Sequence, residues 1–160
     1  MDMSGEQLIS ASRDAVWKAL NDPAVLQMCV PGCDQMEQTS ETKLNARAAI
    51  KVGPIKAKFA GKIMLTDMNP PTSYAINFEG QGGIAGFAKG GARVSLTEAE
   101  GGTLLKYEST AKIGGKIAQL GARLIESTAK SMADQFFAKF SEIMNANAID
   151  GASASEDPST

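Results

Sequence analysis

The chain has 160 residues, of which 43% are hydrophobic and 21% charged, and its formal net charge at pH 7 is −2. These values suit one globular domain and show no basic excess of the kind that a dedicated nucleic-acid-binding protein carries. Histidine is absent, which excludes Ser-His-Asp and Cys-His nucleophile pairs and imidazole metal sites.

The N-terminal segment predicts a short strand followed by two short helices. Residues 6–11 form the strand, and residues 12–15 supply an N-cap candidate for a helix that ends near Leu20. The sequence Asn-Asp-Pro at 21–23 then ends this helix and starts a second one, with Pro23 as its first helical residue. A turn at residues 31–33 closes the helical pair.

From about residue 34 to 113 the hydrophobic pattern has period two, which indicates antiparallel strands. Residues 55–65 show it most clearly, because alternate positions are apolar or small while three lysines occupy the positions between them. Glycine- and proline-rich turns separate the successive strands. With the first strand, the pattern predicts a sheet of about seven strands.

Residues 115 to about 145 carry apolar side chains at steps of three and four, which predicts one long C-terminal helix. The sheet and this helix can bury both apolar surfaces only if the sheet curls around the helix. The predicted fold class is therefore α+β, with a helix-grip architecture. We expect a single domain over residues 1–146 and a disordered polar tail over 147–160.

Small residues at the middles of the inward strand faces predict an apolar cavity, because a filled core would use larger side chains there. An alternative is that the aromatic residues Trp17, Phe136, Phe137 and Phe140 fill this space. The predicted ligand-contacting residues are Leu44, Ala46, Ala48, Ala57, Phe59, Gly61, Ile63, Tyr74, Phe78, Leu96, Tyr107, Ser109, Leu124, Thr128 and Met132.

No acid and base converge on the inward faces, so no catalytic residue is predicted. Tyr74, Tyr107 and Ser109 are candidates to orient a ligand carbonyl or hydroxyl, or to serve as ordinary buried polar groups. Cys29 and Cys33 lack further soft ligands nearby, so no metal site is predicted and no cofactor of the protein's own. We interpret them as small, partly buried thiols, with a redox or partner contact beside the bend at residues 31–32 as the alternative.

Two surface features are candidates for contact with a partner or a membrane. Residues 80–91 are interpreted as a mobile glycine-rich loop with Phe87 at its tip, or as an ordinary hairpin. The strands at 43–62 carry only basic charges, which suits either an anionic partner or a solvated face protected against edge pairing. The predicted contact residues are Pro31, Gly32, Lys43, Arg47, Lys56, Lys58, Lys62 and Phe87.

Several of these segments together resemble the G-subunit family of carbon monoxide dehydrogenase over residues 2 to about 145. They are PGC at 31–33, KVGPIKAKFAGK at 51–62, GFAKG at 86–90 and IGGKIAQLG at 113–121. The resemblance implies a START-like (SRPBCC) helix-grip fold and an accessory protein of a molybdenum hydroxylase, with a role in membrane recruitment or coupling to the respiratory chain. Two cysteines are too few for a disulfide scaffold and the sequence shows no signal peptide, so we expect a cytoplasmic location. Some members have a longer C-terminal membrane anchor, whereas residues 147–160 contain no apolar segment.

Three functional hypotheses follow from the residues and the resemblance. The first is an accessory protein that binds a lipid or an isoprenoid quinone in its cavity and is peripheral to the inner face of the membrane. The second is an enzyme similar to polyketide cyclases and aromatases, with Tyr74, Tyr107 or Glu108 positioning a substrate. The third is a docking or assembly factor with a filled interior. None involves nucleic acid.

Overall fold

The computed structural model describes the backbone of residues 1–156 and the side chains of residues 1–146. The described residues form seven strands and three α-helices. In chain order they are β1 (Asp2–Ile9), α1 (Arg13–Leu20), α2 (Pro23–Cys29), β2 (Cys33–Ser40), β3 (Lys43–Val52), β4 (Ile55–Asn69), β5 (Ser73–Gln81), β6 (Phe87–Ala99), β7 (Gly102–Gly114) and α3 (Ala122–Glu156). Short 3₁₀ helices occupy Gly83–Ala85 and Lys116–Leu120.

The two short helices begin where the sequence predicts. The Ser12 side chain accepts a hydrogen bond from the backbone nitrogen of Ala15 at 3.2 Å and caps α1. The Asp22 carboxylate accepts one from the nitrogen of Ala24 at 3.0 Å, directly before Pro23 opens α2. These caps satisfy amide groups that have no partner within the helix itself.

The strands form one antiparallel sheet in the order β1-β7-β6-β5-β4-β3-β2. Its first strand is longer toward the N-terminus than predicted and ends at Ile9, because every residue from Asp2 to Ile9 pairs with β7. Along most strands one face is buried and the other exposed, as in β3, where Leu44, Ala48 and Val52 are buried. The predicted α+β class and curved antiparallel sheet under a long helix are confirmed.

The long helix starts later than the predicted residue 115. Lys116–Leu120 forms a 3₁₀ helix, and Gly121 then adopts a positive φ of 97° before α3 begins at Ala122. A glycine takes this left-handed conformation without the steric penalty of other residues, so it permits the change of direction. The predicted tail, residues 147–160, lies outside the residues whose side chains the structure describes and stays a prediction.

The predicted glycine-rich loop at 80–91 is also shorter than expected. β5 continues to Gln81 and β6 starts at Phe87, so most of the segment is paired strand. The prediction that Phe87 lies at a loop tip is therefore wrong. Phe87 packs against Gly114, where an added Cβ would come within 2.3 Å of the Phe87 ring, and Ile84 is the exposed residue of the turn.

A closed hydrophobic core fills one end of the molecule. Ile9, Leu96, Leu105 and Phe140 are its largest fully buried residues together with Val16 of α1. The second half of α3 contributes Phe140 and Met144 to this core. The first half of α3 crosses the other end of the sheet, where the inward strand residues are small, and this difference positions the candidate site.

Candidate ligand-binding site

An apolar cavity of about 560 Å³ lies between the concave face of the sheet and the first half of α3. Its walls come from the inward faces of β3 to β7, from the start of β1, from the turn after α2, from the 3₁₀ helix before α3 and from one face of α3. Its volume falls within the range of about 300–1,000 Å³ that is usual for small-molecule sites. The site is therefore large enough for a ligand of small-molecule size.

A row of small residues forms the floor of the cavity. Across neighbouring strands Ala46 pairs with Gly61, Gly61 with Gly80, and Gly80 with Ala88. All of them line the cavity. Because the inward-pointing groups on these strands are hydrogen atoms and methyls at this level, the sheet cannot reach the helix above it and a gap remains.

Two alanines of α3, Ala129 and Ala133, lie in the roof opposite this floor. Ile125, Ala129 and Ala133 follow one another at four-residue spacing and therefore share one face of the helix. Thr128 and Met132 lie beside them on the same wall. Close packing of this half of α3 on the sheet would require larger side chains on one of the two surfaces.

The structure brings about half of the predicted ligand-contacting residues together on this wall. The predicted residues that line the cavity are Ala46, Phe59, Gly61, Ile63, Phe78, Ser109, Thr128 and Met132. The predicted residues that lie away from its wall are Leu44, Ala48, Ala57, Tyr74, Leu96, Tyr107 and Leu124. Most residues of the second group are on the same inward strand faces as the first group. They lie farther along the strands, where packed side chains or the edge of the sheet take the place of the cavity.

Tyr74 and Leu96 are part of the closed core. Burial raises the pKa of the Tyr74 phenol far above its usual value, since the charged form would lose its hydration. Tyr107 packs over Gly5 and stacks on Phe137 with ring centroids 5.4 Å apart. Its pKa is raised by burial and, to a smaller extent, by the negative charge of Asp134. Both tyrosines thus have structural partners.

Leu124 and the aromatic residues of α3 have different surroundings along the helix. Leu124 contacts the turn between β3 and β4, where an added Cβ on Gly53 would come within 2.8 Å of its Cδ2. Phe136 lines the end of the cavity, while Phe137 and Phe140 lie beyond it. The Phe137 ring meets the Phe136 ring edge to face with centroids 5.2 Å apart, and the Phe140 ring stacks on the Phe136 ring with centroids 6.0 Å apart.

Several wall residues were not among the predicted contacts. From the strands and the N-terminus these are Met1, Met3, Ile50, Val52, Gly80, Ala88, Ala111 and Ile113, and from elsewhere Val30, Ile117, Ile125, Ala129, Ala133 and Phe136. The period-two pattern could have identified Ile50, Val52 and Ile113 as wall residues, because they share an inward strand face with predicted contacts. No sequence pattern identified Met1 and Met3 as wall residues, since only the pairing of β1 with β7 brings them to the wall.

The polar side chains on the wall are few. Ser109 and Thr128 contribute hydroxyls, and the Thr128 Oγ1 donates a hydrogen bond to the carbonyl of Leu124 at 2.9 Å. Lys62 and Glu79 also border the cavity, but they are opposite each other on β4 and β5 and are exposed. The site can therefore hold an apolar body with few directional polar contacts.

The cysteines and acidic residues do not form a metal site among residues that the structure describes, where no group of three or more possible ligands occurs. Cys29 is buried and burial raises its pKa to about 11, a shift that the nearby positive charge of Lys139 partly opposes. Cys33 donates a hydrogen bond from its thiol to the carbonyl of Gln35 at 3.2 Å. Both thiols are free.

The predicted contact residues lie on more than one surface. Lys43, Arg47, Lys56, Lys58 and Lys62 are on β3 and β4, and all of them are exposed. Arg47 forms an ion pair with Asp34 at 3.0 Å, so its charge is partly balanced.

Gly32 has a structural constraint of its own. Its φ is +75°, and an added Cβ would approach the carbonyl oxygen of Ala49 to 2.0 Å. Its neighbour Pro31 borders the cavity. Phe87 lies on the sheet face that also carries Lys89, away from the cavity wall. None of the helices in the described part of the chain is long and apolar enough to cross a membrane.

Together, the curved sheet, the long helix over it and the apolar chamber between them define a protein of the helix-grip class. The family model for the G subunit of carbon monoxide dehydrogenase (CoxG) matches residues 5–145. The chain belongs to this family. No curated protein sequence matches the chain significantly.

Solved structures share the fold. A conserved protein from Geobacillus kaustophilus is 31% identical and superposes with a TM-score of 0.85, covering 91% of this chain and 96% of that chain. A protein from Rhizobium leguminosarum is 14% identical, with a TM-score of 0.70 and coverage of 91% and 95%. A protein from Mycobacterium smegmatis is 17% identical, with a TM-score of 0.67 and coverage of 91% and 92%. The two more distant likenesses show the fold alone.

Proposed function

We propose that the protein is a non-catalytic accessory protein of a carbon monoxide dehydrogenase-type molybdenum hydroxylase. In this proposal it binds a hydrophobic ligand, a lipid or an isoprenoid quinone, in the cavity between the sheet and α3. Family membership supports the association with carbon monoxide dehydrogenase. The observation that carries the ligand proposal is the apolar cavity, which small residues such as Gly61 and Gly80 on the floor and Ala129 and Ala133 in the roof leave open.

The physical argument for an apolar ligand is the chemistry of the wall. Exposed apolar surface inside a cavity loses dispersion contacts and is unfavourable in water, so a matching apolar guest is stabilised there by about 25 cal/mol per Å² that it removes from solvent. The sparse hydroxyls of Ser109 and Thr128 add little competing polarity. The same wall would bind a highly polar ligand poorly, because the ligand's groups would lose their hydration.

A catalytic role receives less support from the positions of the candidate residues. Tyr74 is in the closed core, and Glu108 is exposed on the outer face of β7. A cyclase or aromatase would need an acid or base in contact with its substrate in the cavity. The geometry therefore favours binding.

The first experiment tests the ligand. Native mass spectrometry of the protein purified from its own host is expected to show a bound lipid or quinone. Replacing Ala129, on the cavity wall, by Phe is expected to abolish this bound mass, because the ring would occupy the chamber. Ala138→Phe, on an exposed position of the same helix, is the matched control and should keep the ligand.

Absence of any bound molecule in the wild-type protein, together with no binding of decylubiquinone or palmitate added to it, would contradict the ligand proposal. Retention of the ligand by Ala129→Phe would show that it binds elsewhere.

The membrane part of the proposal rests on charge. Lys56 and Lys58 are exposed on β4, and Lys51 is paired opposite Lys56 on β3, so this end of the two strands has a positive potential. Ile84, which is 91% exposed, lies in the turn after β5. The turn that carries Ile84 contacts β4, and lysines together with an exposed aliphatic side chain suit peripheral contact with an anionic membrane.

Co-sedimentation with vesicles tests this contact. The protein is expected to bind phosphatidylglycerol vesicles more strongly than phosphatidylcholine vesicles, and Lys56→Glu/Lys58→Glu should weaken the former. Equal binding of the double variant and the wild-type protein would contradict membrane recruitment through this surface. Lys18→Glu/Lys106→Glu, at exposed positions of α1 and β7, changes the net charge by the same amount and serves as the charge-matched control.

A further inference from the structure

A second cleft, of about 330 Å³, lies beside the apolar cavity and has a different wall. It is bounded by the end of β3, the turn after α2 and one side of α3. Pro31, Ile50, Thr128 and Met132 line both the cavity and this cleft. The two spaces therefore share part of their walls and adjoin along α3.

The polar side chains of the cleft come mainly from one side of α3. Ser127, Ser131 and Gln135 recur every four residues and line it. The Gln135 Nε2 donates a hydrogen bond to the Ser131 Oγ at 3.0 Å, which leaves the other amide hydrogen and the Ser131 hydroxyl hydrogen for a ligand. The cleft thus offers several hydrogen-bond donors next to an apolar chamber.

The charged residues of this part of α3 lie on the neighbouring face of the helix. Glu126, Lys130 and Asp134 follow the same four-residue spacing, one position earlier, and none lines the cleft. The Tyr107 ring of β7 stacks on Phe137, and the negative charge of Asp134, three residues earlier on the helix, raises the pKa of Tyr107. The cleft face of the helix consequently has neutral donors, and the charges lie on the neighbouring face.

The remaining charge at the cleft is positive. Lys51 of β3 lines it, and Lys51 is paired with Lys56 on β4. Among the described residues, no carboxylate borders the cleft. Donors without a competing acid favour a ligand group whose oxygens accept hydrogen bonds.

We propose that this cleft binds the polar head of an amphiphilic ligand whose apolar body occupies the neighbouring cavity. The head group carries oxygens that accept hydrogen bonds from Ser131, Gln135 and Lys51. This inference rests on the proposed function, because it requires a ligand in the cavity. It extends that function by assigning the ligand's orientation and the chemistry of its head.

The physical reason for two adjoining subsites is the cost of burying polar groups. A carboxylate or a quinone carbonyl inside the apolar cavity would lose water without gaining comparable partners. In the cleft the same oxygens keep solvent access and gain donors from the protein. An amphiphile should therefore enter with its head on the β3 side of α3.

Competition against N-phenyl-1-naphthylamine, an uncharged fluorescent apolar probe, tests the proposal. Palmitate provides a carboxylate head and decylubiquinone a carbonyl head. The variant Ser131→Ala/Gln135→Ala should raise the dissociation constant of at least one of the two ligands about tenfold, because it removes two hydrogen-bond donors to the head group. Direct binding of the apolar probe should not change.

The lysine variant distinguishes the two kinds of head. Lys51→Met should weaken palmitate about tenfold and decylubiquinone far less if the natural head is anionic, because only the carboxylate has a full charge. A loss for decylubiquinone alone in Ser131→Ala/Gln135→Ala would indicate a neutral carbonyl head. Lys130→Met, on the neighbouring face of α3 and outside the cleft, is the matched control. It should leave both dissociation constants within about twofold of the wild-type values.

The inference is overturned if the apolar probe binds normally while both ligands retain wild-type affinity in Lys51→Met and in Ser131→Ala/Gln135→Ala. Failure of the probe and of both ligands to bind the wild-type protein would instead contradict the proposed function itself. Alanine is the best helix former, so the α3 variants are expected to fold normally.

Discussion

The indole ring of Trp17 meets the phenol ring of Tyr74 edge to face, with ring centroids 5.2 Å apart and ring planes inclined by 82°. This contact joins α1 to β5 and closes one end of the space between the sheet and α3. Tyr74 shares the inward face of β5 with Phe78, which lines the cavity. One strand face thus serves the closed core at one end and the candidate site at the other.

Tyr74→Ala should therefore destabilise the protein without changing ligand contacts. Removing a buried aromatic side chain typically costs about 3–5 kcal/mol, and Tyr74 is only 4% exposed. Urea unfolding followed by tryptophan fluorescence measures this loss. The Tyr74→Phe variant should bind the cavity ligand as the wild type does. A loss of affinity in this variant would show that the Tyr74 hydroxyl contacts the ligand.

Gly32→Ala should destabilise the fold far more than Gly83→Ala. Both glycines have positive φ, but only at Gly32 would the new Cβ collide with a backbone carbonyl, that of Ala49. A left-handed non-glycine residue alone costs of order 1–3 kcal/mol, and the clash adds to this cost at Gly32. Thermal unfolding of the two variants measures the difference, and equal melting temperatures would contradict the collision.

The two cysteines should differ in their reaction with iodoacetamide. Burial raises the pKa of Cys29 from its usual value of 9.0 to about 11, so at pH 8 this thiol remains protonated and unreactive. Cys33, which is only partly buried, should be alkylated first. Peptide mass spectrometry after timed labelling provides the measurement, and faster labelling of Cys29 in the folded protein would contradict its burial.

The raised Cys29 pKa also has a consequence for stability. The folded state holds this proton more tightly than the unfolded state, so the associated stabilisation is present below pH 9 and is lost as the pH rises toward 11. Cys29→Ala should reduce the alkaline loss of stability in that window. Denaturant unfolding at pH 8 and pH 10.5 compares the two proteins, with an unchanged pH dependence as the contrary result.

Ala129→Leu should stabilise the unliganded protein by about 1 kcal/mol, because the added methyl groups would fill part of the cavity. Ala138→Leu, at an exposed position of the same helix, should change the stability by less than about 0.5 kcal/mol. Urea unfolding of both variants compares them. Destabilisation by Ala129→Leu would mean that the roof and the floor are already in contact.

Local sequence signals predicted the secondary structure well where they were strong. The Ser12 cap and Pro23 located both short helices, and alternation over residues 55–65 identified β4. The start of α3 was missed because Lys116–Leu120 has helical spacing, yet Gly121 interrupts it. Phe87 was misplaced because flanking glycines resemble a loop, although the residue pairs with Gly114 in the sheet.

The sequence by itself determined the fold class and which residues face inward, because these depend on periodicity and on the caps and turns of neighbouring residues. It also located small residues such as Gly61 on the inward faces. Only the tertiary structure decided which level of each strand remains open. Tyr74 and Phe78 both point inward in the same strand pattern, yet Tyr74 belongs to the core and Phe78 lines the cavity. The difference arises because α1 and the second half of α3 pack on the sheet only at the Tyr74 end.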